Sequence, residues 1–339
     1  MRLRSVSVIL GAFLLIPSAC DSKDDKPAED TKTAEAKEAK PEPEVKAADD
    51  GGGADTKRVE IAKADPPKVT VDDAGGDPKE QLRFSPKAGS EEKVEMTMGM
   101  TMGMTMGGQK MPAVTTPPMI VDARAQVDNV AEDKMLVTYI VDGMRVGDAK
   151  GANPTMVKTL ATMLEGMKSF EAHLELDRRG ALLGGHVDVP QALPAPMQQM
   201  TEQLQQSFAQ IQVPLPEEAV GPGAKWTAVG TVEQGGMKIE QTAHYEMVEK
   251  TDAGMKLKVA IEQKLLDNDF KPPGMPGVKA KINLFQSAGT GNLELSTDYL
   301  SPTDMATNIK LKMGMDIEAM GQKQKQDMEM DMTLQMQRK

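Results

Sequence analysis

Six methionines alternate with threonine and glycine in the stretch EMTMGMTMGMTMGG (Glu95 to Gly108): Met96, Met98, Met100, Met102, Met104 and Met106. Thioether sulfur is a soft ligand that selects Cu(I) or Ag(I). On an extended strand these residues share one face at about 6.5–7 Å spacing, close enough for two long side chains to converge on one ion. A second stretch, DMEMDMTLQM, adds Met328, Met330 and Met332, with Met313 and Met315 on the preceding strand.

The same parity also builds plain apolar surface. The alternate residues Thr97, Gly99, Thr101, Gly103 and Thr105 are small or polar, as a solvent-facing side requires. Leu311, Ile309 and Leu334 continue the C-terminal methionine rows, as one hydrophobic face would. The chain holds 28 methionines but only 3% aromatic residues, so methionine is its general apolar filler. These eleven methionines are therefore read as core or ligand-facing lining in preference to a metal site. A third use, sacrificial oxidation to sulfoxide, follows for any that are exposed.

Other chemistry is sparse. His173, His186 and His244 are not at H-x-x-x-H spacing, and each is read as an ordinary strand residue. The chain has one cysteine, which excludes an intramolecular disulfide and multi-cysteine zinc sites. No G-x-S-x-G elbow, P-loop or G-x-G-x-x-G fingerprint occurs. The acidic group Asp267, Asn268 and Asp269 in the loop-like DNDFKPPGMPG lacks the EF-hand pattern. No catalytic residue, metal ligand or cofactor is assigned, and no enzyme is expected. A net charge of −11 argues against a nucleic-acid partner.

The first residues, MRLRSVSVILGAFLLIPSAC, combine a basic start (Arg2, Arg4) with an apolar run from Val6 to Ile16 that is too short to span a bilayer. Residues 1–19 read as a secretory signal. The lone Cys20 follows Ser18-Ala19 and resembles the bacterial lipobox, with Pro17 where that pattern favours leucine. The resemblance implies lipidation of Cys20 and anchoring in the cell envelope, facing the periplasm. Asp21 resembles an inner-membrane retention signal of the enteric type, and the choice between inner and outer membrane stays open. From residue 20 to 80 the chain is mostly Asp, Glu, Lys, Ala, Pro and Gly, read as a disordered acidic tether. About sixty such residues reach on the order of 40 Å.

Residues 81–339 read as one β-rich globular domain, because period-two alternation and turn signals recur throughout. Strands are expected over about 93–106, 119–130 and 134–146. A Gly235-Gly236 loop pairs Val232 with Ile239, Ala228 with Ala243 and Trp226 with Tyr245. A Gly321-Gln322 loop pairs Met315 with Met328, Met313 with Met330, Leu311 with Met332 and Ile309 with Leu334, and sets Asp316 against Asp327. A hairpin is expected to turn at Arg179-Gly180. One helix starts with Asn153 as N-cap and Pro154 at N1, with Met156, Leu160, Met163, Leu164 and Met167 on one face. A second starts near Pro196, with Met197, Met200, Leu204, Phe208 and Ile211 on one face. The expected fold is mainly β (α+β): a large curled antiparallel sheet or half-barrel of about ten strands, with two amphipathic helices on its concave face.

The lipobox, the acidic tether, the Met-rich strand and the segment VPLPEEAVGPGAKWTAVG (Val213 to Gly230) resemble an uncharacterised family of predicted bacterial lipoproteins. Its "VG.GA.W" pattern falls on Val220, Gly221, Gly223, Ala224 and Trp226. That family has no assigned activity to carry over. More loosely, the architecture is similar to the open half-barrels of periplasmic lipoprotein and lipid carriers, an analogy of fold alone. The function expected is a membrane-anchored, non-enzymatic binding module for a hydrophobic ligand or lipid. The alternatives are a Cu(I)/Ag(I)-binding periplasmic protein and a structural envelope lipoprotein without a ligand.

Overall fold

The computed structural model describes residues 56–61, 66–148, 154–165, 170–190, 213–234, 236–270, 279–319 and 322–339. The signal segment, Cys20, most of the tether, the second expected helix and most of DNDFKPPGMPG lie outside the described residues.

Among the described residues, seventeen strands and one helix follow in chain order. The first half contains β1 (Thr56–Ile61), β2 (Lys68–Asp73), β3 (Glu80–Gln81), β4 (Glu91–Met106), β5 (Gln109–Lys110), β6 (Val114–Val130), β7 (Lys134–Val146), α1 (Pro154–Glu165), β8 (Phe170–Asp177) and β9 (Leu182–Pro190). The second half contains β10 (Ala219–Val220), β11 (Lys225–Gln234), β12 (Met237–Thr251), β13 (Gly254–Leu265), β14 (Asp269–Phe270), β15 (Lys279–Leu295), β16 (Asp304–Ala319) and β17 (Gln322–Arg338). Fifteen of these strands form one antiparallel sheet, ordered β1-β9-β8-β7-β6-β4-β17-β16-β15-β13-β12-β11-β2, with β14 on β15 and β5 on β4. β10 and β3 pair separately.

The expected β class holds, and three details need correction. The strands exceed ten because β3, β5, β10 and β14 are two-residue pairings and because β1 and β2 lie inside the segment read as tether. β1 and β2 are the two edges of the sheet. Their sequences TKRVEI and KVTVDD are short and charged, as edge strands usually are. Val59, Ile61, Val69 and Val71 nevertheless join the main core. Finally, one helix rather than two occurs among the described residues. α1 begins at Pro154 as expected, and Leu160 and Leu164 pack it onto the core.

The sheet is strongly curled. Nine steps of the strand order separate β8 from β11, about 43 Å if flat. Yet Leu215 N donates to Arg179 O at the β8–β9 turn (3.3 Å), while the adjacent Pro214 O accepts from Trp226 Nε1 on β11 (3.1 Å). Only a sheet rolled round on itself allows both bonds.

The rolled end is plugged by residues 82–85, 213–220 and 297–302. Phe84 N donates to Arg178 O (2.7 Å) and Ser85 N to Thr297 O (2.6 Å). Leu82, Phe84, Val213, Leu215, Val220, Ala224, Trp226 and Leu300 are all buried there. Glu92, 3% exposed, accepts from Leu300 N (2.7 Å) and Ser301 N (2.9 Å). The "VG.GA.W" residues are structural parts of this plug. A Cβ on Gly221 would meet Gly76 O at 1.8 Å, so only glycine fits.

Both predicted hairpins can be compared by register. The first holds residue for residue: Val232 faces Ile239, Ala228 faces Ala243, and Trp226 faces Tyr245 with rings stacked at 5.3 Å. The second is shifted by two residues: Met313 faces Met328, Leu311 faces Met330 and Ile309 faces Met332. A two-residue shift keeps every side chain on its own face, so hydrophobic parity does not oppose it. Charge decides. Asp316 now faces Lys325 instead of Asp327, Lys312 bridges Glu329 (3.0 Å), and Lys323 lies 3.8 Å from Glu318.

Candidate functional site

The eleven predicted lining methionines come together on the inner face, because β4, β17 and β16 are consecutive in the sheet. Met96 faces Met336, Met100 faces Met332, Met102 faces Met330 and Met104 faces Met328. They do not form one uniform surface. Met96, Met98 and Met332 pack against the main core. Met313, Met315, Met328 and Met330 are buried in a second cluster with Val232, Met237, Ile239 and Ile282, and Met100 and Met102 pack against it. Met96 through Met104 are only half-buried, and Met106 is exposed. Met104 Sδ accepts a hydrogen bond from Gln326 Nε2 (3.3 Å).

A burial gradient thus crosses the face, from covered thioethers on β16 and β17 to partly open ones on β4. Complete burial of a methionine side chain stabilises by roughly 1.5–3 kcal/mol. The half-buried row therefore retains apolar surface that a further partner can cover. Unbranched thioether chains adapt to irregular shapes at small cost.

One inner row was missed from sequence. Register places Gln241, Gln263, Ser287, Leu311, Met330 and Met102 side by side across six strands. Gln263 Nε2 donates to Gln241 Oε1 (2.8 Å), and Ser287 Oγ donates to Gln263 Oε1 (2.5 Å). This polar chain lies between the main core at Ala243 and Ile261 and the Met-rich cluster at Ile239. Alternation would have found it, since Gln241 and Gln263 stand at core parity in their strands.

The outer face carries a second constellation missed from sequence. His173 on β8 and His186 on β9 are directly paired, with rings stacked at 4.7 Å. Burial, aided by Arg58 and His173, pushes the His186 pKa below the usual imidazole value. The signal was available. A turn at Arg179-Gly180 sets 173 opposite 186 by simple counting, whereas within-strand spacing hides the pair.

No protein-family model matches the chain, and no curated protein matches it.

Proposed function

We propose that this protein is a lipid-anchored envelope protein whose methionine-lined inner face binds a hydrophobic ligand of acyl-chain type. The observation that carries the reading is the half-buried row Met96 to Met104 beside the fully buried Met328 and Met330. Apolar surface left partly open on the inner side of a curled sheet suits a flexible apolar guest. The Gln241–Gln263–Ser287 chain lies in the same cross-strand row as Met102, separated from it by Leu311 and Met330. The anchor is Cys20 in its lipobox-like setting, with the acidic segment as spacer and the domain facing the periplasm. Resemblance to uncharacterised lipoproteins and to lipid-carrying half-barrels supports the same reading by analogy. In it the protein holds and releases its ligand without chemistry.

Native mass spectrometry after gentle extraction tests this. A co-purified lipid is expected, or a mass shift on adding a phospholipid. Replacing Met98, Met100, Met102 and Met104 by serine is expected to abolish it while leaving the strand content unchanged. No lipid and no shift would overturn the proposal.

One observation favours a second reading. Met104, Met328 and Met313 stand in a single cross-strand row on β4, β17 and β16. Three neighbouring thioethers suit Cu(I). Titration with Cu(I) against a competing chelator separates the two readings, because leucine in place of these three residues removes a copper site but preserves an apolar one.

A further inference from the structure

The outer face of the β8–β9 hairpin holds a cluster that ligand binding on the inner face does not use. His173 pairs with His186 and Glu171 with Asp188. Glu60 and Arg58 of β1 stand opposite His186 and Asp188. The ligating atoms of His173, His186 and Asp188 all lie within 4.8 Å of one another, and all three residues are half-buried. Among the described residues, no other group of three His, Cys, Asp or Glu side chains meets so closely.

Hydrogen bonding orients the first imidazole. Thr138 Oγ1 donates its single proton to Asp128 Oδ2 (2.7 Å), because an ionised carboxylate only accepts. At its contact with His173 Nδ1 (2.9 Å) the hydroxyl must therefore accept. Nδ1 carries the proton, and in the neutral ring Nε2 presents a lone pair. That lone pair lies 3.6 Å from Asp188 Oδ2. A cation between these two acceptors, either a proton on Nε2 or a metal ion, satisfies both. Arg58 Nε reaches the other oxygen, Oδ1, at 3.5 Å and leaves Oδ2 to the histidines.

The spacing fits a metal ion. Zinc–nitrogen and zinc–oxygen bonds of about 2.0–2.2 Å at tetrahedral angles place neighbouring donors roughly 3.3–3.5 Å apart. The His173–Asp188 separation of 3.6 Å is within a few tenths of that. The Asp128–Thr138 relay behind His173 resembles the outer-shell support that fixes the tautomer of metal-bound histidines. His244 supplies an internal comparison. Thr227 Oγ1 bonds Asp72 (2.6 Å) and His244 Nδ1 (2.9 Å) in the same way, but among the described residues no second histidine and carboxylate gather at His244.

We propose that His173, His186 and Asp188 form a site for a divalent transition-metal ion of the zinc type, with Glu171 or water completing the shell. Glu171 Oε2 lies 3.9 Å from His173 Nε2, within reach of that role. The borderline N₂O donor set differs from the soft thioethers of the inner face and favours zinc-type ions over Cu(I).

The test uses the full chain in detergent, stripped with a chelator and titrated with Zn²⁺ against a chromophoric competitor and with Co²⁺ by visible absorption. One equivalent is expected to bind, with the intense Co²⁺ bands of a four-coordinate site. His186→Ala and Asp188→Asn are each expected to weaken binding about tenfold or more, and His244→Ala to leave it unchanged. Asp188→Asn keeps the side-chain shape, so the prediction survives a folding failure of the histidine variant. Absence of stoichiometric binding would overturn the proposal. So would binding that Asp188→Asn leaves intact, or that His244→Ala weakens equally.

Discussion

Replacing Glu92 by alanine removes the carboxylate that ties the plug to the sheet. Glu92 is 3% exposed and accepts two backbone N–H groups, Leu300 at 2.7 Å and Ser301 at 2.9 Å. Each buried donor left without a partner costs about 1–3 kcal/mol. Glu92→Ala is therefore expected to lose roughly 2–6 kcal/mol, a large share of a typical folding free energy. Glu92→Gln keeps one acceptor and turns an amide N–H₂ toward the second donor, so its loss should be roughly half as great. The neighbouring Glu91 is the control. It bridges Arg124 at 3.1 Å but is 38% exposed, and its removal should cost at most about 1 kcal/mol. Urea unfolding followed by the fluorescence of Trp226 is a direct readout, because the chain's single tryptophan is fully buried in the same plug. The order Ala, Gln, then the Glu91 control is the required result. Equal tolerance of Glu92→Ala and Glu91→Ala would refute the claim that this carboxylate holds the rolled end together.

Two further outcomes follow from the packing. Tyr245 is buried against Trp226, its hydroxyl has no hydrogen-bond partner among the described residues, and burial raises its pKa well above the usual phenol value. Tyr245→Phe should therefore be neutral or stabilise by about 1 kcal/mol in the same unfolding assay, and a clear loss would show that the hydroxyl is bonded. The register of the C-terminal hairpin predicts a coupling of about 0.2–1 kcal/mol between Lys312 and Glu329 in a double-mutant cycle. Lys312 and Asp331, which face each other only in the register expected from a Gly321-Gln322 loop, should show markedly less.

The sequence by itself determined the class of fold. Period-two alternation marked the long strands, and glycine turns located the hairpins. For the Gly235-Gly236 loop the register followed residue by residue, since a two-residue turn and the Trp226–Tyr245 pair leave one alignment. It also placed the methionines of β4, β16 and β17 on one face, because parity alone decides which side of a strand a residue occupies.

Tertiary structure decided what depends on partners distant in the chain. β1 and β2 look like tether because six charged residues acquire a strand's hydrogen bonds only from β9 and β11. The two-residue shift of the last hairpin was settled by cross-strand charges that parity cannot weigh. The curl came from plug segments that bond to both the β8–β9 turn and β11. The methionine row was legible as a candidate site, yet its gradient from buried to half-open depends on which strands flank β4. The histidine pair lay in plain arithmetic across one turn, but its meaning required Asp188, Thr138 and Asp128 to be brought beside it. Side-chain chemistry assembled across strands has no spacing signature along one strand, and only the sheet order supplies it.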